Sequence, residues 1–520
     1  MNKFYITTPL YYVNASPHIG HAYTNIISDC MARFRRLEGK DVFFLTGTDE
    51  HGGKIQKAAY ESNLDTQSFV DKVSANFKSL WKELDISYDF FIRTTDTFHK
   101  QVVTNVINFL YQKGDIYKEK YKGFYCIFCE SFWSEQQVKE SKGCPDCKRA
   151  VETVEEENYF FRLSKYQNWL VDYLKNNPSM VQPQVRYNEV MAFLQNPLSD
   201  ICISRPKKRL SWGIDFAIDK DYVVYVWFDA LINYISAVGF SFDEKKFEYF
   251  WPADIHFIGK DILRQHAIFW PIILKALELE MPKVIFAHGW WKVGEEKMSK
   301  SRGNIVNPLE LINLLNSYFP SMQKRGLDAF RFFLLREIPL GFDGNFSVEA
   351  IINRINSDLA NDLGNLVYRS LNMVEKYFQA KLQPTNIELP KEYLETFKNL
   401  ENSYTSLMNN CDFYSALELI FSFIRTMNKY IEDKKPWVIW KEERIDEMKN
   451  FLYQLLEGIR IVSLYLYPFI PNTSKAIYRQ LGLSDNDNNF TFKEKKWSTY
   501  KGFFIKKEGV LFPRIEADAF

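Results

Sequence analysis

The chain has 520 residues, 46% of them apolar, enough for large cores and, by length, for several domains. Its formal net charge of +1 excludes a surface that grips nucleic acid everywhere, so any such contact must be local, on lysine runs such as 493–496 or 501–507, which taken alone read as solvated faces. No run approaches the ~18 apolar residues of a membrane span, and residues 1–10 pass straight into a strand-like segment without the order of a leader peptide; a cytoplasmic setting is the expectation.

Residues 4–8 form a β-prone run ended by Pro9, and turn residues continue to Pro17. Apolar periodicity predicts a helix over about 18–38, a second strand over 41–46 ended by Gly47, and a helix over about 65–84. This alternation predicts a parallel α/β sheet with ligands at its strand ends. From 117 to about 221 the pattern is irregular, aromatic and cysteine-bearing. Strand-like runs at 222–228, 255–258 and 284–287 follow, with a helical run at 262–279, so 117–221 reads as an insertion splitting one domain. Beyond Pro308 helical patterns dominate, chiefly 348–378, 393–409 and 413–432. No internal repeat is found.

Of seven cysteines, Cys30, Cys202 and Cys411 are scattered, while Cys126, Cys129, Cys144 and Cys147 cluster. One tight cluster reads as a metal site rather than a disulfide framework. Two Cys-x2-Cys hooks separated by 14 residues can place four sulfurs at tetrahedral corners ~2.3 Å from zinc, and Gly143 and Pro145 give the turns such knuckles need. Four protein ligands leave no open position, so the single zinc expected is structural; an iron–sulfur cluster is the lesser alternative.

Two motifs carry phosphate chemistry. In His18-Ile-Gly20-His21, Ser16 is placed to cap the helix and Pro17 to start it, and the two histidines share one face at the positive end of the helix. Gly20 lets a flat base approach the backbone. Lys297-Met-Ser-Lys300-Ser301 puts two mobile ammonium groups in a loop, although a solvated basic loop competes for that motif alone. The pair, about 280 residues apart, resembles the class I aminoacyl-tRNA synthetases, and no Walker A loop is present. The resemblance implies that His18 and His21 hold ATP phosphates, that Lys297 and Lys300 close over pyrophosphate with Mg²⁺, and that Gly259 and Asp261 meet the nucleoside, Asp261 taking the ribose hydroxyls. From sequence alone, Asp261 reads equally as an ordinary acid at a helix start.

Trp227, Ala230, Leu231 and Tyr234 fall on one helical face, as a core stripe or a pocket wall would. The runs 226–234 (VWFDALINY), 7–14 (TTPLYYVN) and 47–52 (GTDEHG) are similar to segments of methionyl-tRNA synthetases, which favours the wall. That resemblance implies a methionine pocket of Leu10, Tyr12, Trp227, Ala230, Leu231, Tyr234, Ile262 and His266. Asp49 would meet the substrate ammonium and Arg205 would orient Asp49. It further implies that Asn365, Arg369 and Trp437 read the anticodon, although each taken alone reads as an ordinary surface or packing residue.

The expected fold is α/β: a Rossmann-like parallel sheet split by a zinc-containing insertion and followed by an α-helical anticodon-binding domain. The expected divisions are 1–116 and 222–290 for the sheet domain, 117–221 for the insertion, 291–350 for the KMSKS loop and link, and 351–520 for the helical domain and tail. The expected reaction makes methionyl-adenylate from methionine and ATP, then loads initiator and elongator tRNA(Met). The alternatives are another class I synthetase, such as a cysteine-specific one, or a non-catalytic tRNA-binding paralogue. The insertion, about 105 residues, is short for an editing domain, and no OB-like tRNA-binding segment precedes Phe520, so a monomer is expected.

Overall fold

Seven strands join one sheet in the computed structural model, which describes residues 2–14, 16–126, 131–133, 135–145, 147–293, 296–297, 306–319 and 324–516. They are β1 (Lys3–Thr7), β2 (Tyr11–Tyr12), β3 (Asp41–Asp49), β4 (Phe90–Arg93), β5 (Val181–Gln182), β6 (Ile255–Gly259) and β7 (Ile285–His288). Every pairing is parallel. β3 lies between β4 on one side and β1 and β2 on the other, and the order continues from β1 through β6 and β7 to β5. The winding reverses between β1 and β6, and a doubly wound sheet leaves a crevice at the carboxyl ends of the strands there.

Both faces of this sheet are covered, as parallel sheets require. Phe4, Ile6, Val42 and Phe44 face helix α1 (Ile19–Leu37), whereas Tyr5, Phe43 and Leu45 face helix α2 (Val226–Ser236). The period-2 alternation along β1 and β3 therefore assigns each side chain to one of two cores. The α1-side core continues without a break through α3 (Arg325–Arg336) into the C-terminal helices.

A buried ion cluster also crosses this boundary. Asp29 of α1 meets Arg33 at 2.8 Å and Arg331 of α3 at 2.7 Å, and it accepts from the Ser87 backbone N–H and hydroxyl at 2.7 and 2.6 Å. Arg331 donates to the carbonyls of Phe469 and Pro468. One carboxylate thus pins α1, α3 and the carboxyl end of helix Ile445–Leu466 together.

Three readings are refined. Tyr222–Val224 is a strand, but it pairs antiparallel with Ser204–Pro206 outside the main sheet, and α2 begins at Val226. β-branched residues favour a strand without naming its partner. Val181–Gln182, inside the stretch read as insertion, returns to the main sheet beside β7. The helical run at 262–279 divides into a 3₁₀ turn (Lys260–Ile262), a π-helical segment (Gln265–Phe269) and an α-helix (Trp270–Ala276). The helix expected at 348–378 runs unbroken, with a π-helical segment at Ile355–Gly364. Among the described residues no helix is long and apolar enough to cross a membrane.

Candidate active site

A cavity of about 510 Å³ opens at the switch point of the sheet. Its walls come from the segments following β1, β6 and β7, the first turn of α1, and one face of α2. This single space gathers all nine residues expected around methionine, together with His18, Gly20, His21, Gly259 and Asp261.

At the end of the cavity formed by His18 and His21, the start of α1 differs in detail from expectation. His18, not Ser16, is the cap, in extended conformation, and the helix begins at Ile19. The Gly20 N–H donates to His18 Nδ1 and the His18 N–H donates to His21 Nδ1, both at 3.0 Å, closing a reciprocal capping box. An Nδ1 that accepts cannot carry the proton, so both rings are neutral with Nε2–H as their remaining donor. Burial and the neighbouring His18 hold His21 well below the usual imidazole range, in agreement. The rings stack with centroids 3.9 Å apart, presenting two N–H donors beside a helix amino terminus.

The apolar end lies between α2 and the π-helical turn carrying His266. His266 Nδ1–H donates to the Ile262 carbonyl at 2.9 Å, so Nε2 accepts from the Tyr234 hydroxyl at 2.7 Å. Burial pushes His266 down to about 4, keeping it neutral at physiological pH. The Tyr234 hydroxyl hydrogen is committed to His266 and the His266 Nδ1 hydrogen to backbone, so neither remains to face the cavity. Asp49 ends β3, opposite Tyr12 in register, and is buried. Arg205 stands outside the cavity lining, its guanidinium 4.2 Å from the Tyr225 ring centroid and donating to the Ser204 carbonyl. Tyr225 caps α2, so Arg205 sits behind the start of the wall helix.

The side of the cavity around Asp261 holds residues that no motif marked. His288 Nδ1–H donates to the Gly289 carbonyl, and Thr24 lies 2.8 Å from His288 Nε2. Trp290 Nε1–H donates to Asp261 Oδ1 at 3.1 Å. Lys54 and Asn233 also line the cavity. The usable signal was positional: 288–290 begins at the last residue of β7 as 259–261 begins at the last residue of β6. Lys297 lies in a two-residue strand paired with Trp291–Val293, Lys297 opposite Lys292. Lys300 lies outside the described residues, as does Cys129.

The remaining cysteines converge. The sulfurs of Cys126, Cys144 and Cys147 lie within 4.8 Å of one another, and Cys126 and Cys147 are 3.6 Å apart. A disulfide would be ~2.05 Å, whereas sulfurs on one zinc are separated by about 3.8 Å, the edge of a tetrahedron with ~2.3 Å bonds. Cys126 ends strand Ile116–Cys126 of a four-stranded antiparallel insertion sheet, while Cys144 and Cys147 follow helix Glu135–Ser141. Gly143 turns the chain at φ +148, where a Cβ would fall 2.8 Å from the Arg149 carbonyl oxygen. The donor set and spacing fit a metal site.

In the helical region Asn365 is exposed and Trp437 is 51% exposed on the short helix Pro436–Lys441. Arg369 pairs with Glu432 at 2.7 Å, five residues before Trp437, so the three expected anticodon residues border one junction of helices.

Comparison with known proteins follows this geometry. The model for class I tRNA synthetases (M) matches residues 4–155 and 148–371, and that for the anticodon-binding domain of tRNA ligases matches 390–514. The methionine–tRNA ligase of Caldanaerobacter subterraneus is 46% identical over 99% of this chain and 79% of its own length. That of Thermotoga maritima is 43% identical over 100% and 81%. The Mycobacterium tuberculosis methionyl-tRNA synthetase in complex with methionyl-adenylate superposes with a TM-score of 0.92 at 38% identity, covering 99% of this chain and 100% of that one. A parallel sheet bearing HIGH at a helix start, a helical anticodon-binding region and near full-length similarity agree: the chain belongs to the methionyl-tRNA synthetase family of class I aminoacyl-tRNA synthetases.

Proposed function

We propose that this chain is a methionine–tRNA ligase, which joins methionine to ATP as methionyl-adenylate with release of pyrophosphate and then transfers methionine to the 3′-terminal adenosine of initiator and elongator tRNA(Met). The observation carrying this reading is the continuity of one cavity from the paired imidazole N–H donors to the apolar Tyr234–His266 end. Asp49 takes the substrate ammonium, with Arg205 assigned the orienting part from behind the wall. The apolar end accepts the side chain, and an unbranched, polarizable thioether suits such a surface. The methionine carboxylate attacks the α-phosphate in line. Charge then accumulates on phosphate oxygens, where the Nε2–H groups of His18 and His21 stand preorganised. Gly259 and Asp261 hold the nucleoside; Lys297 and Lys300 complete the pyrophosphate side, and Mg²⁺ enters with ATP.

Cys126, Cys144 and Cys147, with Cys129 as fourth ligand, would hold one zinc whose chemistry is to crosslink the insertion. Cys144→Ser is expected to abolish zinc binding, read as metal equivalents by atomic emission, while the methionine Kd stays within about twofold. One full equivalent of zinc on the variant would remove Cys144 from the ligand set. In the helical region Trp437 stacks on an unpaired base of the CAU anticodon, and Asn365 and Arg369 read base edges. The exposed Arg369–Glu432 pair costs only about 0–1 kcal/mol to rearrange. The five divisions given from sequence are retained as functional units, with Val181–Gln182 bracing the sheet from within the insertion.

The deciding experiment is pyrophosphate–ATP exchange with each of the twenty amino acids and no tRNA. Exchange with methionine alone is expected. Exchange with a different amino acid would discard the pocket assignment and keep the class I reaction; none from folded, zinc-loaded protein would favour a non-catalytic tRNA-binding protein.

A further inference from the structure

Beside the nucleoside wall, outside every motif, Asp343 ties together three points of the chain. Its carboxylate meets Lys260 Nζ at 2.7 and 2.8 Å, Lys292 Nζ at 2.8 Å and the Trp290 backbone N–H at 2.9 Å. Lys260 directly precedes Asp261. Trp290 donates its indole N–H to Asp261 Oδ1 at 3.1 Å, and Lys260 Nζ lies 4.2 Å from the centroid of the Trp290 ring. Lys292 belongs to Trp291–Val293, which pairs in parallel with Gly344–Asn345, so Asp343 enters this ladder from its edge.

The approach depends on Gly289. A Cβ there would fall 2.1 Å from the Phe342 carbonyl oxygen and 2.8 Å from the Asp343 nitrogen. Only a bare backbone at 289 lets the 342–344 segment come this near to the loop after β7. Burial would raise the Asp343 carboxyl, but Lys260, Lys292 and the Trp290 N–H outweigh it and hold the group well below the usual carboxylate range. It is therefore an anion under working conditions, and each tether is a charge-assisted contact.

We propose that Asp343 is a positioning residue for recognition of the ATP ribose: by clamping Lys260 and the Trp290 backbone, it fixes the Asp261 carboxylate from both sides. Asp343 does not touch the nucleotide in this account. A carboxylate offers about four acceptor sites, so the indole bond orients Asp261 without exhausting it. Lys260 adds a cation over the indole face, which holds the ring in the plane from which its N–H reaches Asp261. The inference rests on the reading that Asp261 binds the ribose hydroxyls.

The test compares ATP with 2′-deoxy-ATP and 3′-deoxy-ATP in methionine-dependent pyrophosphate exchange, using the full zinc-loaded chain. The wild type is expected to prefer ATP over at least one deoxynucleotide by about 10- to 100-fold in kcat/KM, the range for a hydrogen bond to a charged group, and Asp261→Asn is expected to erase the preference. Asp343→Asn should raise the KM for ATP about tenfold and shrink the preference to within about threefold, with the methionine KM unchanged. Lys260→Gln, which removes the same tether from its other end, should shrink the preference likewise and decides the matter if Asp343→Asn does not fold. A folded Asp343→Asn protein that keeps the wild-type preference, whatever its kcat, would overturn the inference alone. A wild type indifferent to the ribose hydroxyls, or an Asp261→Asn variant that still discriminates, would instead overturn the reading of Asp261 and the inference with it.

Discussion

His21→Ala is expected to slow methionine-dependent pyrophosphate exchange by about 10²–10³-fold in kcat while leaving the methionine Kd within about twofold. The magnitude is that of removing one preorganised donor from a site of developing oxyanion charge, about 2.7–4 kcal/mol. The capping box supplies a finer test. Because His21 Nδ1 accepts from the His18 backbone, the donor left to meet a phosphate oxygen in the proposed reaction is Nε2–H. Glutamine places its amide nitrogen near the Nε2 position and asparagine near Nδ1. His21→Gln is therefore expected to retain more activity than His21→Asn, measured as kcat at saturating ATP and methionine. The reverse order would mean that the proton resides on Nδ1 and that the box does not persist with ATP bound. A fall in methionine affinity equal to the fall in rate would place the effect on binding rather than on the transition state.

The largest stability effect is expected at Asp29, which does not line the cavity. Asp29→Asn removes the negative charge between Arg33 and Arg331, both buried. Breaking one side of a buried pair typically costs about 3–5 kcal/mol because the other charge stays desolvated; denaturant unfolding should show a loss of this size with a lowered midpoint. Burial would raise the Asp29 carboxyl, but Arg33, Arg331 and the Ser87 donors hold it well below the usual range. A carboxyl depressed in the folded state contributes its full stability above its unfolded value, ~3.9, and loses it as the pH falls toward the folded value. The gap between wild type and Asp29→Asn should thus stay level from pH 7 to 5 and narrow as the pH drops below about 4. A gap that widens in acid, or one under about 1 kcal/mol at pH 7, would sink this account of the cluster.

The sequence made some of this legible for physical reasons. A β-prone run announces itself locally, and so does an amphipathic helix, hence the near coincidence of β1 and helix Thr66–Glu83 with their expected ranges; β3 starts where expected but runs through Gly47 to Asp49, because its neighbouring strands keep pairing with it past the glycine. HIGH was visible because strand, turn and helix start lie within about twenty residues. Its cap was misassigned because an imidazole that accepts from backbone serves as well as a serine hydroxyl, and nothing local distinguishes them. The partner of Tyr222–Val224, the return of Val181–Gln182 to the sheet and the clamp by Asp343 all depend on encounters between distant segments. No periodicity records those. His288 and Trp290 fall between the two cases: they carry no signature and were not singled out, although their place at the end of a sheet strand could have nominated them.

The core shared by the sheet and the C-terminal helices bears on how the molecule can be taken apart. Phe4 and Ile6 belong to the same apolar mass as Leu452, Phe503 and Ile515, and the Asp29 ion cluster is embedded in that seam. A cut near residue 350 would not separate two finished modules; it would expose two apolar faces of leucine, phenylalanine and isoleucine, and each piece is expected to aggregate without the other. The anticodon-reading half is therefore not a cassette to be lifted out and grafted onto another catalytic body. Redesign of that half is expected to tolerate changes at exposed positions such as Asn365 and Trp437 far better than changes in the seam.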